Sequence, residues 1–271
     1  MPVGSSCVAN LRPQRAPDGA MGGKIRCGRC TFEHRLCIME KTSAETRRPF
    51  APPFDERILP MTLFPNAYFI IGTAYAGKST LVRLLAQKHH GIACEENYHD
   101  ALLPALDAAE FPCVTYTRDL QDWHDFIRRT PEAYKAWIDG AARECETLEM
   151  RLLPGICSRG KPVFVDTNIS METLKTVAAP GRVLVMLADP EISVRRFFER
   201  PDREKQFLYR LILEEKDPQA ALENYRRGLT LINSPERYQA FLHSGFPVIL
   251  RDEKRSPEET LVLAEQILGL A

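Results

Sequence analysis

The sequence predicts an α/β protein, a three-layer fold in which a five-stranded parallel sheet carries helices on both faces. Three observations carry that expectation. Five short apolar runs recur between Asn66 and Leu250, alternating with segments of helical periodicity. The first run ends in a glycine, as a buried parallel strand often does. Helix starts are marked again and again by a polar capping residue followed by proline.

Taken in order, Tyr68-Phe69-Ile70-Ile71 is the first strand and Gly72 closes it. A helix follows from Lys78 to His89, with Leu81, Leu84 and Leu85 on one face, and Gly91-Ile92-Ala93-Cys94 suits a second strand. Residues 101–158 read as largely helical and broken at prolines. The clearest helix there sets Tyr134, Trp137, Ile138, Ala141, Cys145, Leu148 and Leu152 along one face. Val163-Phe164-Val165, ending at Asp166, is the third strand, and Val183–Leu187 the fourth. Pro247-Val248-Ile249-Leu250 is the fifth, before a closing helix over 257–270. Thr130, Asp189, Asp217, Ser234 and Ser256 each precede a proline at a helix start, and Ser256 has a capping-box glutamate at Glu259.

Residues 1–60 differ from this pattern. They are rich in Pro, Gly, Ser and Arg, and residues 1–50 hold nine Lys/Arg against four Asp/Glu, a net of +5. Such a segment buries too little apolar surface to offset its ordering entropy, so a disordered basic tail before a domain over 61–271 is expected. Within it, Cys27, Cys30, His34 and Cys37 have ligand types that suit zinc. Their spacing matches no common finger, and Arg26, Arg29 and Arg35 oppose a bound cation, so a reduced tail is the competing reading.

Composition narrows the function. The 271 residues include 36 Lys/Arg and 36 Asp/Glu, so global charge gives no argument for a nucleic acid or a membrane surface as partner. No stretch approaches the roughly 20 apolar residues of a membrane-spanning helix. The N-terminus lacks the apolar core of a secretory signal, so a cytoplasmic protein is expected. Eight cysteines, four of them in the first 40 residues, do not form a secreted disulfide framework; reduced thiols are expected.

The chemistry concentrates at Gly72-Thr73-Ala74-Tyr75-Ala76-Gly77-Lys78-Ser79, which satisfies G-x-x-x-x-G-K-[ST] in full. Glycines let such a loop curl until its N–H groups converge on phosphate oxygens, and the following helix adds the positive end of its dipole. Thr80 completes the expected phosphate-contacting set. Lys78 is expected at the β/γ-phosphates of ATP and the Ser79 hydroxyl on Mg²⁺. A metal–nucleotide site also needs a carboxylate, and Asp166 at the end of the third strand is the candidate; the alternative is that it caps the helix near Ser170. Glu95, Glu96 and Asp100 follow the second strand at the same sheet edge, where one carboxylate could orient or deprotonate an acceptor hydroxyl, or where all form a polar loop. Neighbouring His99 is expected at the surface.

Residues 195–205 place five cations in eleven positions, including Arg195, Arg196, Arg200, Arg203 and Lys205. A basic lid there would stabilise a transferring phosphoryl group and exclude water; the alternative is a solvated helix with Phe197 and Phe198 in the core.

With these features the chain resembles the small P-loop kinases, the group of nucleoside monophosphate kinases and shikimate kinase. The likeness runs over about residues 66–271, through GTAYAGKST, PVFVDTN, VLVMLADPEISVRRFFER and FPVILRDEKRSPEET. It implies the three-layer P-loop NTPase fold, with an acceptor-binding helical insertion at about 96–158 and a short lid at 200–206. Lys78, Asp166, Arg200 and Arg203 would then be catalytic, Ser79 and Asp166 would hold Mg²⁺, and the partners would be ATP and a small-molecule acceptor. The D-x-D acceptor signature of shikimate kinases is missing, and PVFVDTN departs from the adenylate kinase run, so the acceptor stays open. Arg118, Trp123 and His124 lie in the acceptor region, where packing explains each equally well. Coupling of ATP hydrolysis to conformational change and non-catalytic nucleotide binding are the rival readings. GTP is disfavoured, since no N-K-x-D motif appears.

Overall fold

The computed structural model describes residues 63–199 and 203–271. The tail over residues 1–60, with Cys27, Cys30, His34 and Cys37, lies outside the described residues, and so does Arg200.

Five strands, β1 (Ala67–Gly72), β2 (Ile92–Cys94), β3 (Val163–Asp166), β4 (Val183–Leu187) and β5 (Val248–Leu250), form one sheet in the order β2-β3-β1-β4-β5. Every pairing is parallel, with Ile70 opposite Asp166 and Gly72 opposite Met186 across β1. Central strands β1, β3 and β4 are buried at every residue, which is why their sequences are continuously apolar rather than alternating.

The helices are α1 (Lys78–Lys88), α2 (Pro112–Asp119), α3 (Trp123–Ile127), α4 (Pro131–Cys157), α5 (Met171–Val177), α6 (Pro190–Arg195), α7 (Arg203–Glu214), α8 (Pro218–Ile232), α9 (Pro235–Leu242) and α10 (Pro257–Leu268). Short 3₁₀ segments cover Tyr98–Ala105 and Phe197–Glu199. Thr130, Asp189, Asp217, Ser234 and Ser256 all cap their helices through the side chain, and Glu259 closes the capping box. The helix α4 does not break at Pro154 but runs through it to Cys157, and on its buried face Leu153 is fully covered where Leu152 was expected. None of the helices among the described residues is long and apolar enough to cross a membrane.

Strand alternation sorts the core into layers. Tyr68, Ile70, Phe164, Leu184 and Met186 face α1 and α10, packing on Leu81, Leu85 and Leu268. Phe69, Ile71, Val165 and Val185 face the other way, onto Leu153, Leu174 and Phe241 of α4, α5 and α9. Buried Glu265 ties α10 to α1 through Lys88 at 2.7 Å and His89 at 2.8 Å. Burial works against its charge, but those two hydrogen bonds prevail and hold its carboxyl below the usual range.

A third core lies away from the sheet. Phe126, Tyr134, Trp137 and Ile138 of α3 and α4 pack with Leu208, Leu211 and Ile212 of α7 and with Tyr225 and Leu229 of α8. Of the segment expected to form a short lid, the part from Arg203 onward opens a 12-residue helix seated in an aromatic core. The strongly amphipathic spacing of Leu208, Leu211 and Ile212 drives that seating. Lys205, counted among the lid cations, is buried, with its ammonium 5.6 Å from the Phe197 ring.

Candidate phosphate and metal site

The chain leaves β1 toward β2 on one flank of the sheet and leaves β4 toward β5 on the other. A crevice forms where crossovers diverge in this way, outside the C-terminal ends of the strands. Residues 73–77 fill that position, between β1 and α1. Gly72 has φ 133°, and a Cβ there would meet the Met186 carbonyl oxygen at 1.8 Å, so only glycine lets β1 approach β4 this closely. Gly77, at φ 91°, turns the chain into α1.

The loop is held from several sides. The Thr73 amide donates to Met186 O at 3.0 Å, and its hydroxyl accepts from the Ala188 amide at 2.7 Å. Ser193 Oγ donates to Ala74 O at 3.1 Å. Tyr75 adopts φ 67°, a left-handed conformation, with its hydroxyl on Arg196 O and its carbonyl receiving Arg251 Nη1. These ties reach β4, α6 and the end of β5, so the loop is shaped before any ligand arrives.

Seven described helices carry a side-chain cap, but α1 has none. Its first N–H groups face the crevice with the positive end of the helix dipole, an arrangement that favours an anion. Thr80 and Gly77 are exposed there, Ser79 and Ala74 half-buried, and Ala76 buried.

Lys78, Ser79 and Asp166 converge behind the loop. Lys78 is buried, and its Nζ donates to Thr73 O at 3.1 Å and lies 4.0 Å from Asp166 Oδ1. Ser79 Oγ donates to Asp166 Oδ2 at 2.7 Å. Asp166 is 1% exposed, and its Oδ1 has no hydrogen-bond partner. Burial pushes its carboxyl up to about 7; the Lys78 ammonium and the Ser79 hydrogen bond pull it down, while Glu96 and Glu149 push it further up. Ser79 and Asp166 thus offer hard oxygen donors, one of them an orphaned buried oxygen, which fits Mg²⁺ carried by a nucleotide. Among the described residues no cluster of three or more His, Cys, Asp and Glu is built to hold a metal unaided.

Other expected residues separate. Asp166 does not cap the next helix; Ser170 does, accepting from the Thr173 amide. Glu95 turns outward to Arg83 at 3.6 Å, leaving Glu96 as the carboxylate that acts on Asp166. The surface placement expected for His99 is overturned: it is 2% exposed, held between Cys145 Sγ at 3.2 Å and Glu149 Oε1 at 3.4 Å. Arg118 is spent on Asp119 and on the carbonyls of Leu103 and Leu106. His124 pairs with Glu215 at 2.7 Å, and Trp123 packs on Phe126 and Phe207. Arg195 and Arg203 are exposed, while Arg196 pairs with Glu253 at 2.6 Å. Cys94, Cys113, Cys145 and Cys157 form no disulfide, and burial pushes Cys94 up to about 12.

There are two cavities of note, and the larger is lined by the loop residues Ala76 and Gly77. One of about 250 Å³ opens beside Gly77, Thr80 and Leu84, bounded across the crevice by Ile249, Arg251 and Thr260. A smaller one, about 30 Å³, is lined by His99, Asp100, Cys113, Trp137 and Cys145 under the helical insertion. Arg251 and Glu149 went unnoticed in the sequence; the signal for Glu149 was an acid four residues after Cys145, inside an apolar helical face.

The chain matches no protein-family model, and no curated protein matches it.

Proposed function

We propose that this chain is an ATP- and Mg²⁺-dependent phosphotransferase of the P-loop kinase type, acting on a small-molecule acceptor. One observation carries the reading: at the uncapped start of α1, Lys78 and Ser79 both point at the buried, half-satisfied carboxylate of Asp166. Phosphoryl transfer asks little covalent chemistry of the protein, so positioned charge is the main contribution it can make.

In this reading the loop amides and α1 hold the phosphate chain, and Lys78 exchanges its contact with Thr73 O for the β/γ-phosphate oxygens. Ser79 and Asp166 hold Mg²⁺, which supplies neutralising charge on those oxygens when bound. The 250 Å³ cavity takes the base and ribose, with Arg251 at its rim. Glu96, whose charge acts on Asp166, would orient an acceptor hydroxyl, and the insertion over 96–158 would form the acceptor side. Arg203 and Arg200 belong to the segment that would close over the transferring group, excluding water.

Incubation with γ-labelled ATP and panels of nucleosides, nucleotides and metabolite alcohols tests this. Label moving to an acceptor supports transfer. Label released only as phosphate means hydrolysis. Label left on ATP with every acceptor counts against transfer, and a direct ATP-binding titration then separates a nucleotide-binding protein from one that does not bind ATP.

A further inference from the structure

A carboxylate buried in the middle of a helix costs several kcal/mol unless donors surround it. Glu149 on α4 is 0% exposed and has no individual role in the reading above. Its partners lie on the two residues that follow Asp166. Oε2 accepts from the Thr167 hydroxyl at 2.5 Å, Oε1 from Asn168 Nδ2 at 2.8 Å, and both from the Asn168 amide at 3.1 and 3.2 Å. Thr167 is gripped twice more: its amide donates to Ile70 O at 3.2 Å, and its hydroxyl accepts from the Ile169 amide at 3.0 Å. The chain leaving Asp166 is therefore pinned to β1 on one side and to α4 on the other. His99 Nδ1 lies 3.4 Å from Oε1, and Tyr98 is a further neighbour of the carboxylate.

We infer that Glu149 is a positioning residue for the metal carboxylate: through Thr167 and Asn168 it fixes the backbone from which Asp166 reaches Ser79 and leaves Oδ1 turned to the metal. The inference rests on the reading of Asp166 as a Mg²⁺ ligand. Asp166 keeps its Oδ1 free of hydrogen bonds while buried, an arrangement that relaxes unless the backbone is held. An apolar residue at position 149 would fill the same space but leave the Thr167 hydroxyl and the Asn168 amide without their acceptor. The same carboxylate connects α4, which lines the small cavity through Cys145, to the end of β3.

The test separates positioning from general stability by using the metal as the readout. ATP affinity is measured by calorimetry with excess EDTA and with Mg²⁺, for the natural protein, Glu149→Gln, Thr167→Val and Asp166→Asn. Glutamine keeps the volume but sets an amino group among donors. The expected result for Glu149→Gln is an unchanged Mg²⁺-free affinity and an enhancement by Mg²⁺ reduced about ten- to hundredfold, the range for groups that orient metal ligands. Thr167→Val, which removes one donor, shows the same loss to a smaller extent, and it carries the test if Glu149→Gln does not fold. Equal losses with and without Mg²⁺, or an intact enhancement in a folded variant, overturn the inference. If Asp166→Asn also keeps the full enhancement, the metal reading itself fails; if only Asp166→Asn loses it, that reading stands and the role of Glu149 is wrong.

Discussion

Ser79 and Asp166 meet across 87 residues of sequence, the hydroxyl donating to one carboxylate oxygen at 2.7 Å while the other oxygen has no hydrogen-bond partner. The contact joins the first turn of α1 to the end of β3, adjacent strand ends in a parallel sheet. A helix start that attracts anions and a carboxylate that attracts cations are thereby placed side by side, as a metal–triphosphate requires.

On the proposed reading, the raised carboxyl of Asp166 would make Mg·ATP binding depend on pH. Its folded value of about 7 lies above the ordinary carboxylate range, so its contribution to folding is full in acid and is lost as pH rises through 7. Metal binding needs the ionised form and releases the proton. The Mg·ATP dissociation constant is expected to fall about tenfold per pH unit from pH ~5 to ~7 and then to level off. Calorimetry in buffers of different ionisation heat reads the proton release, and Asp166→Asn is expected to lose both the slope and the release.

Gly72→Ala tests the close approach of β1 to β4. With Met186 O at 1.8 Å from the added Cβ and φ at 133°, the strands must part. A loss of about 2–4 kcal/mol in urea unfolding is expected, together with weaker Mg·ATP binding.

Leu84→Trp fills much of the 250 Å³ cavity and replaces no loop residue. If the base sits there, Mg·ATP binding weakens by about tenfold or more, equivalent to about 1.4 kcal/mol, while inorganic triphosphate binds as before. Parallel calorimetric titrations of the two ligands make the comparison.

Phe126→Ala removes a ring that is 1% exposed and stands edge-on to Trp137 at 5.2 Å. Denaturant unfolding is expected to show a loss of about 3–5 kcal/mol. Inorganic triphosphate affinity at temperatures below the transition is expected to hold, because the loop is built on the sheet rather than on this aromatic core.

The parallel sheet was legible because both faces of its strands are covered, so Tyr68–Ile71 and Val183–Leu187 had to be apolar throughout. Helix starts were legible because a cap and an N1 proline act locally, as at Thr130 and Ser256. The meeting of Lys78 and Ser79 with Asp166 was legible because the first turn after β1 and the end of a neighbouring parallel strand lie at one sheet edge. Glu149 and His99 were not. Each is polar, each is buried, and the groups that make that burial tolerable lie on other segments: Thr167 and Asn168 for one, Cys145 and Glu149 for the other. The seating of α7 was missed for a similar reason, since the cations of residues 195–205 stood out while the apolar stripe of α7 gave no hint of its partners on α3 and α8.

Titration of Mg·ATP into the natural protein and into Lys78→Ala tests the phosphate site most directly. Saturable binding by the natural protein, weakened about ten- to hundredfold in the variant through loss of a charge-assisted contact, is the predicted result. Undiminished affinity in a folded Lys78→Ala protein, or no Mg·ATP binding by the natural protein, would contradict it.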